Sequence, residues 1–281
     1  LLTAPDILIA PGVYDGLTAA LATDAGFEAL YLSGAAVAYT RLGRPDIGLS
    51  TASEMTDTMA LIADRTDLPV IMDADTGFGN ALNARRTMQS YERAGASALQ
   101  VEDQTYPKKC GHLSDKSLIP KEEMAGKIAA MADARRHDTL IIARTDAIAV
   151  EGFDAAIDRA GSYIDAGADV LFIEAPRDSG ELSRIADTFK GRVPLLANMV
   201  EGGATPISSA TSLEDMGFDI VIFPGGIVRA LARSAQDYYA SLKATGSNKA
   251  FSDRMHDFDG LNAAIGTPEM LALGKRFDGK S

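Results

Sequence analysis

The stretch Asp-Ala-Gly-Ala-Asp-Val-Leu-Phe-Ile at residues 165–173 decides the fold, because variants of it recur along the chain. Similar stretches occupy residues 24–32, 93–101 and 215–223. In each of them a helical stretch ends at a glycine suited to the left-handed helix cap, and a short apolar run follows. This order is typical of the junction between a helix and the next strand in a repeating βα unit.

The rest of the chain continues the alternation of short apolar runs with amphipathic stretches. The apolar runs predict eight strands, at residues 7–11, 29–33, 70–73, 98–102, 140–144, 170–174, 195–198 and 220–223. The amphipathic stretches predict helices, among them 51–65, 81–94, 121–136, 153–166 and 179–190. This alternation over roughly 250 residues predicts an α/β fold, a (β/α)8 TIM barrel. A doubly wound open sheet is the alternative, weakened because residues 12–16 lack the G-x-G-x-x-G turn.

The chain shows no linker or low-complexity tract, and we expect residues 1–281 to form a single barrel domain. Residues 227–281 are longer than one closing helix requires. They predict a helix at 227–245, a polar turn at 246–248 and a further helix near 257–273. Such a C-terminal helical extension can pack on its own barrel or reach across to a neighbouring subunit.

Composition narrows the function class. The net charge is −12, from 27 basic and 39 acidic residues, and no basic block appears. Nucleic acid and anionic membranes are therefore not expected partners, whereas a small anionic substrate can still be bound by local cations or a metal. The apolar runs are too short to cross a bilayer. A single cysteine and an N-terminus without a signal peptide pattern predict a cytoplasmic protein.

Acidic residues recur where the predicted strands end. In a (β/α)8 barrel these positions meet at one mouth, where crowded carboxylates repel one another unless something neutralises them. Asp73, Asp75 and Glu102 offer only oxygen donors, with Asp46 joining through water, and this set suits Mg²⁺, or alternatively Mn²⁺. An Asp-x-Asp taken alone is explained equally well as a turn or a helix cap.

Other strand-end residues suit a carboxylate substrate. Backbone N–H groups at residues 33–35 (Ser33, Gly34 and Ala35) can approach it closely, although an ordinary tight turn is the simpler explanation. Arg144 is a candidate for bidentate carboxylate binding, with a structural ion pair to Glu102 or Glu174 as the alternative. Asn198 is a candidate hydrogen-bond donor to a substrate oxygen, or a cap.

Together these motifs resemble the isocitrate lyase/phosphoenolpyruvate mutase superfamily over nearly the whole chain. The segments that carry the resemblance are 33–34 (SG), 45–48 (PDIG), 73–79 (DADTGFG), 102–104 (EDQ), 108–112 (KKCGH), 144–146 (RTD) and Asn198. The KKCGH segment is specific to the carbon–carbon lyase branch. The resemblance implies a Mg²⁺-dependent barrel, commonly a homotetramer whose C-terminal helical segment swaps between subunits.

The resemblance also implies roles for single residues. Asp73 resembles the direct metal ligand, with Asp46, Asp75 and Glu102 holding metal-bound water. The residues that resemble the grip on the α-oxo-acid half are Ser33, Gly34, Ala35 and Arg144. Lys108, Cys110 and His112 resemble parts of a mobile gating loop, in which Cys110 occupies the position of the proton donor. Glu174, Asn198 and Pro224 match outer positions of the pocket.

The implied reaction explains why the single cysteine lies between two lysines and a glycine-histidine pair. Cleavage of the C2–C3 bond of a 2-hydroxy acid leaves a carbanion, which a thiol can protonate while Mg²⁺ polarises the oxo-acid oxygens. A cysteine suits this task because its free pKa of about 8.5 is close to the operating pH. A small buried hydrophobe, the alternative for Cys110, fits poorly among such polar neighbours.

The substrate is predicted to be a substituted malate, a 2-hydroxy di- or tricarboxylate cleaved to an α-oxo acid such as pyruvate. Residues 198–203 (NMVEGG) and 40–43 (TRLG) resemble the group that includes 2,3-dimethylmalate lyase and petal death protein. The alternatives are an oxaloacetate hydrolase, a branch that carries serine where Pro224 lies, and a methylisocitrate lyase. A catalytically inactive barrel that binds an oxo acid is the alternative outside enzymes.

Overall fold

A computed structural model describes residues 1–2, 4, 6–111, 115–203, 205 and 208–278. Eight parallel strands form a closed barrel in chain order, and the eighth strand pairs with the first. The strands are β1 (Leu8–Val13), β2 (Leu30–Leu32), β3 (Val70–Asp73), β4 (Ala98–Glu102), β5 (Leu140–Thr145), β6 (Val170–Ile173), β7 (Leu195–Asn198) and β8 (Ile220–Phe223). The predicted TIM barrel is confirmed.

Helices connect successive strands. They are α1 (Gly16–Asp24), α2 (Gly34–Val37), α3 (Ala52–Arg65), α4 (Ala81–Arg93), α5 (Lys121–Ala134), α6 (Ala147–Val150), α7 (Phe153–Asp165), α8 (Ser179–Phe189), α9 (Ala210–Met216), α10 (Gly226–Thr245), α11 (Phe258–Ala264) and α12 (Thr267–Lys275). A π-helical turn, Ala38–Leu42, continues α2, and a 3-10 helix occupies Asn248–Arg254. Among the described residues, no helix is long and apolar enough to span a bilayer.

The repeated glycine acts as the sequence predicts. Gly26, Gly95, Gly167 and Gly217 all have φ between 86° and 106°, in the left-handed region. A side chain is disfavoured there, and the glycine ends the helix and turns the chain into the next strand. At the other end of the helices, Asp15, Thr51 and Asn80 form capping boxes that satisfy N–H groups of the first turn. Local sequence therefore sets the boundaries of several βα units.

Several predicted bounds shift by one or two residues in the structure, and two of the differences have a clear physical reason. The first strand extends to Val13 rather than ending at Pro11, which forms part of the pairing with β8. The continuous helix expected near residues 257–273 is wrong. It is divided into α11 and α12 because Gly266 has φ 78° and Pro268 lies in the first turn of α12, where a missing N–H is tolerated.

The chain divides into two compact units, Leu1–Ile227 and Val228–Ser281. The first contains the whole barrel, and the second contains most of α10 together with α11 and α12. The single-domain assignment and the exchange of the C-terminal extension between subunits stay predictions.

The core of the barrel is filled from the strands. Inward-facing and buried side chains form one hydrophobic cluster: Ala10, Ala29, Tyr31, Ile71, Ala98, Ile142, Val170, Phe172, Leu196, Ile220 and Ile222. At about 25 cal/mol per Å² of apolar surface removed from water, such burial is the main stabilising contribution to the fold. The polar side chains are displaced to the carboxyl ends of the strands, where the candidate site lies.

Candidate active site

The predicted site residues lie at the carboxyl ends of seven strands. Ser33 follows β2, Asp73 ends β3, Glu102 ends β4, Arg144 is the penultimate residue of β5, Glu174 follows β6, Asn198 ends β7 and Pro224 follows β8. Most of these side chains are buried, including Asp73, Glu102, Arg144 and Glu174. Parallel strands of a closed barrel present these ends to one mouth, as the sequence predicts.

The loop after β3 turns sharply back over its own strand. Asp75 and Phe78 have positive φ, 45° and 59°, which is uncommon for residues other than glycine. Each such residue costs on the order of 1 kcal/mol or more and is typically retained at functional sites. The conformation allows the Asp75 N–H to donate to Asp73 Oδ1 at 3.1 Å. The two carboxylates of the Asp-x-Asp pair are thereby held close together.

Asp73 is further oriented from inside the barrel. The Gly34 N–H donates to its Oδ2 at 3.2 Å, and Gln100 Nε2 donates to its Oδ1 at 3.5 Å. The buried Tyr31 hydroxyl in turn donates to Gln100 Oε1 at 2.6 Å. Burial, with the nearby Asp73 charge, raises the pKa of Tyr31 well above its usual value, and it therefore acts as a donor. A Tyr–Gln–Asp chain thus fixes the predicted direct metal ligand.

Lys108 joins two of the acidic residues. Its Nζ lies 2.5 Å from Asp46 Oδ1 and 2.8 Å from Asp75 Oδ1, with all three side chains less than a tenth exposed. Burial alone would lower the pKa of Lys108, but Asp75 and Asp46 outweigh it and hold that pKa well above its usual value. Burial raises the pKa of Asp75 to about 6, against the opposing effect of Lys108. Lys108 is therefore a charged ammonium at the mouth.

A second cluster surrounds Arg144. Its guanidinium lies 2.9 Å from Asp146, 3.2 Å from Glu174 and 3.3 Å from Glu102. Burial opposes the charge, but these carboxylates keep the pKa of Arg144 well above its usual value. Asn198 Nδ2 donates to Glu174 Oε2 at 3.1 Å. The ion pairs considered as the alternative for Arg144 are therefore present, and they leave it fully buried at the mouth.

The loop between β4 and α5 lies over these clusters. Gln104 pairs with Leu118 across its base, and the Gln104 side chain exchanges hydrogen bonds with the Lys109 backbone at 2.8 and 2.9 Å. The Cys110 N–H donates to the Asp46 carbonyl at 3.2 Å, and the Cys110 residue is half-buried. The loop therefore brings the predicted proton donor beside the Lys108 cluster.

The next residue shows how closely the loop approaches. A Cβ on Gly111 would overlap the Arg144 guanidinium and the Glu174 side chain, so only glycine fits there. His112, the other predicted residue of this loop, lies outside the described residues.

The remaining predicted residues have local roles in the structure. The Ser33 side chain accepts from the Ala36 N–H at 3.2 Å and caps α2, while Ala35 is half-buried within that helix. Pro224 is half-buried, and its carbonyl lies against Gly12 at the carboxyl end of the β8–β1 pairing. Substrate contacts of Ser33, Ala35 and Pro224 stay predictions.

Sequence reasoning assigned no role to four residues that complete the site: Tyr31, Gln100, Lys116 and Asp146, the last of which it named only within the 144–146 motif. Asp146 follows Arg144 by two residues, and that spacing at a strand end was the available signal. The signal for Gln100 is weaker: it is a polar residue in the middle of a buried strand. Lys116 Nζ lies 2.8 Å from Asp146 Oδ1, although the two residues are thirty positions apart in the sequence. No local sequence pattern predicts that contact.

The site is suited to a hard cation bound largely through water. Glu102 is buried, burial raises its pKa well above the usual value, and its Oε1 has no hydrogen-bond partner among the described residues. A buried oxygen without a partner is costly unless an unseen water or ion satisfies it. Within the described part of the chain, no three acidic, histidine or cysteine side chains are placed to ligate one ion directly. Mg²⁺, which keeps several waters and takes few carboxylates, fits this arrangement.

Comparisons with family profiles, with known sequences and with solved structures all point to one group of related enzymes. The sequence profile described as phosphoenolpyruvate phosphomutase matches residues 1–243. The chain is 42% identical to 2,3-dimethylmalate lyase of Eubacterium barkeri, over 95% of this chain and 92% of that one. It is 47% identical to 2-methylisocitrate lyase of Bacillus subtilis strain 168, over 92% of this chain and 83% of that one.

Solved structures share the fold over nearly the full length. An oxaloacetate acetylhydrolase bound to 3,3-difluorooxalacetate superimposes with a TM-score of 0.94 at 31% identity, covering 99% of this chain and 95% of that one. A phosphonopyruvate hydrolase in complex with oxalate and Mg²⁺ superimposes with a TM-score of 0.88 at 30% identity, covering 98% and 96%.

Proposed function

The chain belongs to the phosphoenolpyruvate mutase/isocitrate lyase superfamily as a carbon–carbon lyase, and from this premise we propose its substrate, metal and residue roles. We propose a Mg²⁺-dependent cleavage of the C2–C3 bond of a substituted malate. The products are an α-oxo acid such as pyruvate and a carboxylic acid. The observation that carries the proposal is the loop 104–118, which brings Cys110 against Asp46 and Gly111 against Arg144 at the acidic mouth.

Four carboxylates would hold the metal. Asp73 would be the direct ligand, since two backbone N–H groups and Gln100 fix its orientation. Asp46, Asp75 and Glu102 would hold water around the ion. When bound, Mg²⁺ (or Mn²⁺) supplies Lewis-acid stabilisation of the oxo-acid oxygens.

The side chains of this chain supply binding and proton transfer. Arg144 binds the carboxylate of the oxo-acid half through its guanidinium, and Asn198 and Glu174 border the other half of the substrate. Lys108 places a second positive charge beside it. As the C2–C3 bond breaks, a carboxylate of the acidic mouth accepts the hydroxyl proton, C2 becomes a carbonyl carbon, and the bonding electrons pass to C3 and into the adjoining carboxylate. The Cys110 thiol then donates its proton to C3.

The closed loop explains why this proton reaches carbon. The Arg144 cluster is buried beneath Gly111, so solvent is largely excluded from the place where the carbanion forms. Exclusion of water prevents side reactions and strengthens the electrostatic interactions of Arg144 and Lys108 with the substrate.

The choice among related substrates rests on similarity. The likeness to 2,3-dimethylmalate lyase and to 2-methylisocitrate lyase supports a 2-hydroxy acid with an alkyl or carboxyalkyl substituent. Oxaloacetate hydrolysis is the second candidate, favoured by the close superposition on oxaloacetate acetylhydrolase. The oxaloacetate hydrolase branch carries a serine at the position of Pro224, and this difference favours the lyase. The inactive-barrel alternative has lost its support, since the relatives compared above are enzymes.

The test is turnover of a substrate panel with Mg²⁺, with and without EDTA. The panel contains 2,3-dimethylmalate, 2-methylisocitrate, malate and oxaloacetate, and released α-oxo acid and oxalate are measured. The proposal expects oxo acid from at least one substituted malate, with release abolished by EDTA. Oxalate from oxaloacetate as the main product would move the assignment to the hydrolase. No release from any member would contradict the proposal.

We further propose a homotetramer in the cytoplasm, acting on a small carboxylate substrate without a nucleic acid or membrane partner. The proposal is supported by the family resemblance, the single cysteine and the absence of a basic block. Light scattering on the purified protein tests the assembly, and a monomeric mass would contradict it.

A further inference from the structure

Lys116 and Asp146 form a buried ion pair to which the proposed chemistry assigns no role. Lys116 Nζ lies 2.8 Å from Asp146 Oδ1, and the two side chains are 2% and 0% exposed. Lys116 belongs to the loop over the site, while Asp146 follows β5 directly. A buried pair costs desolvation of both charges, so its geometry must be good for it to persist. Because both side chains are buried, the pair cannot be explained as an ordinary ion pair on the protein surface.

Asp146 is also the principal partner of Arg144. Arg144 Nε lies 2.9 Å from Asp146 Oδ2 and its Nη2 lies 3.1 Å from Oδ1, so Lys116 and Arg144 share one carboxylate. Arg144 is in contact with three carboxylates, those of Asp146, Glu102 and Glu174. Lys116, which belongs to the loop, brings a further positive charge to Asp146. A carboxylate neutralised by Lys116 leaves Arg144 more of its charge for a substrate.

The same ammonium holds the segment that carries the thiol. Lys116 Nζ donates to the carbonyl oxygen of Gly111, the residue after Cys110. Gly111 is itself packed against Arg144 and Glu174. One side chain therefore connects the position of Cys110 to the Asp146–Arg144 pair.

The barrel end of this connection is rigid. The Asp146 N–H donates to Asp103 Oδ1 at 3.0 Å, and Asp103 Oδ2 accepts from Thr145 Oγ1 at 2.7 Å and from the Tyr163 hydroxyl at 2.8 Å. All of these groups are buried at the carboxyl ends of β4 and β5 and on α7. Asp146 is thus held in place by the barrel, and Lys116 is the partner that the loop contributes.

We propose that Lys116 is a positioning residue that latches the loop 104–118 onto Asp146. Closing the latch sets Cys110 at the mouth and offsets one of the three carboxylates around Arg144, so that more of the guanidinium charge acts on the substrate carboxylate. The latch rests on the contacts alone, while its effect on turnover also rests on the proposed function.

Alkylation of Cys110 by iodoacetamide tests the latch without any substrate. Cys110 is the only cysteine in the chain, so the reaction reports one position. Lys116→Met should be alkylated at least about tenfold faster than wild type, the factor expected from loss of one charge-assisted hydrogen bond. Lys116→Arg, which keeps the charge, should stay within about threefold of wild type by the same reasoning. Lys121→Met is the matched control, since Lys121 pairs with the exposed Asp158.

Three alkylation results would overturn the latch. These are a wild-type rate in Lys116→Met, an equal acceleration in Lys116→Arg, and an equal acceleration in Lys121→Met. Lys116→Gln replaces Lys116→Met if thermal unfolding shows that the methionine variant is not folded.

Steady-state kinetics test the positioning role on the substrate turned over in the panel. Misplacement of a catalytic group by about 1 Å can cost about 10²-fold in rate, and we expect a kcat loss of about that size in Lys116→Met. Lys116→Arg should recover most of it, with Lys121→Met unchanged. An unaltered kcat in Lys116→Met would refute the positioning role. Failure of the wild type to turn over any substrate would refute the proposed function alone, because the alkylation comparison stays readable.

Discussion

The two ends of the barrel are made by the same eight strands, yet their chemistry is opposite. The amino-terminal end encloses an apolar cavity of about 310 Å³ lined mainly by side chains such as Leu8, Ile71 and Ile142. The carboxyl end buries seven acidic side chains, Asp46, Asp73, Asp75, Glu102, Asp103, Asp146 and Glu174, with Lys108 and Arg144 among them. Apolar burial stabilises a fold, whereas buried like charges oppose it.

The difference separates stability from function along the strand axis. Burying ionised groups is strongly unfavourable unless they are paired, and Glu102 Oε1 has no partner in the described part of the chain. Strain accumulates at the same end, at Asp75, Phe78 and Ala175, each with positive φ. A barrel selected only for stability would have no reason to keep these features. We therefore expect substitutions at the two ends to have separable effects.

The largest effect is expected at the carboxyl end, from Cys110→Ser. A positioned general acid contributes about 10²–10⁴-fold to a rate, so oxo-acid release should fall by about 10³-fold. The melting temperature should not change, because Cys110 lies half-buried on a loop outside the core. Substrate turnover and thermal unfolding of the same preparation measure both. Retained turnover would remove the thiol from the reaction.

Ile142→Ala should have the converse effect. Ile142 is fully buried in the core cluster, and truncation of such a side chain typically costs about 2–5 kcal/mol of unfolding free energy. Activity per folded molecule should stay at the wild-type level. Denaturant unfolding measures the loss of unfolding free energy, and kinetics on the folded fraction measure the activity per folded molecule. A large loss of kcat at full folding would show that the two ends are not independent.

Tyr31→Phe probes the boundary between the two ends. Tyr31 belongs to the core cluster, but its hydroxyl reaches Asp73 through Gln100. Loss of an outer hydrogen-bond partner commonly lowers metal affinity by about 10-fold or more, and we expect about that decrease for Mn²⁺. Electron paramagnetic resonance of free Mn²⁺ measures it. Wild-type affinity in Tyr31→Phe would exclude the hydroxyl from orienting Asp73.

The smallest effect is expected at Glu92, far from the mouth. Burial opposes its ionisation, but the N–H groups of His137 and Arg136 and the Thr139 hydroxyl lower its pKa below the usual value. The folded pKa is thus below the unfolded value of about 4.3. The stabilisation is fully present above that value and is lost as the pH falls through the folded pKa. Glu92→Gln should lose about 1 kcal/mol at neutral pH and show a smaller acid dependence in unfolding titrations. An unchanged acid dependence would contradict this assignment.

Sequence alone predicted the barrel well because the signals for it are local. The bounds of β3, β4, β7 and β8 match the prediction to the residue. Each of the five listed helices between strands is present; α3 ends at the predicted residue, and the other four end one or two residues earlier. An apolar run that follows a helix-capping glycine can be recognised from the sequence alone, without knowledge of tertiary contacts. The helical segment 34–42 was missed, since it is too short to show a clear apolar periodicity.

The site divides in the same way. Strand-end carboxylates and Arg144 can be found from sequence because the topology alone brings them to one mouth. Lys108 was read as a loop residue, yet the structure makes it the buried partner of Asp46 and Asp75. Such contacts depend on how a long loop closes, and no spacing rule specifies that. The latch through Lys116 belongs to the same class.

The account depends most on a divalent ion held by Asp73 at the acidic mouth, and titration calorimetry with oxalate tests it most directly. Oxalate resembles the oxo-acid half of the proposed substrate. We predict that oxalate binds wild type in the presence of Mg²⁺, and that binding is lost with EDTA or in Asp73→Asn. Equal oxalate affinity with EDTA, or in Asp73→Asn, would contradict the account.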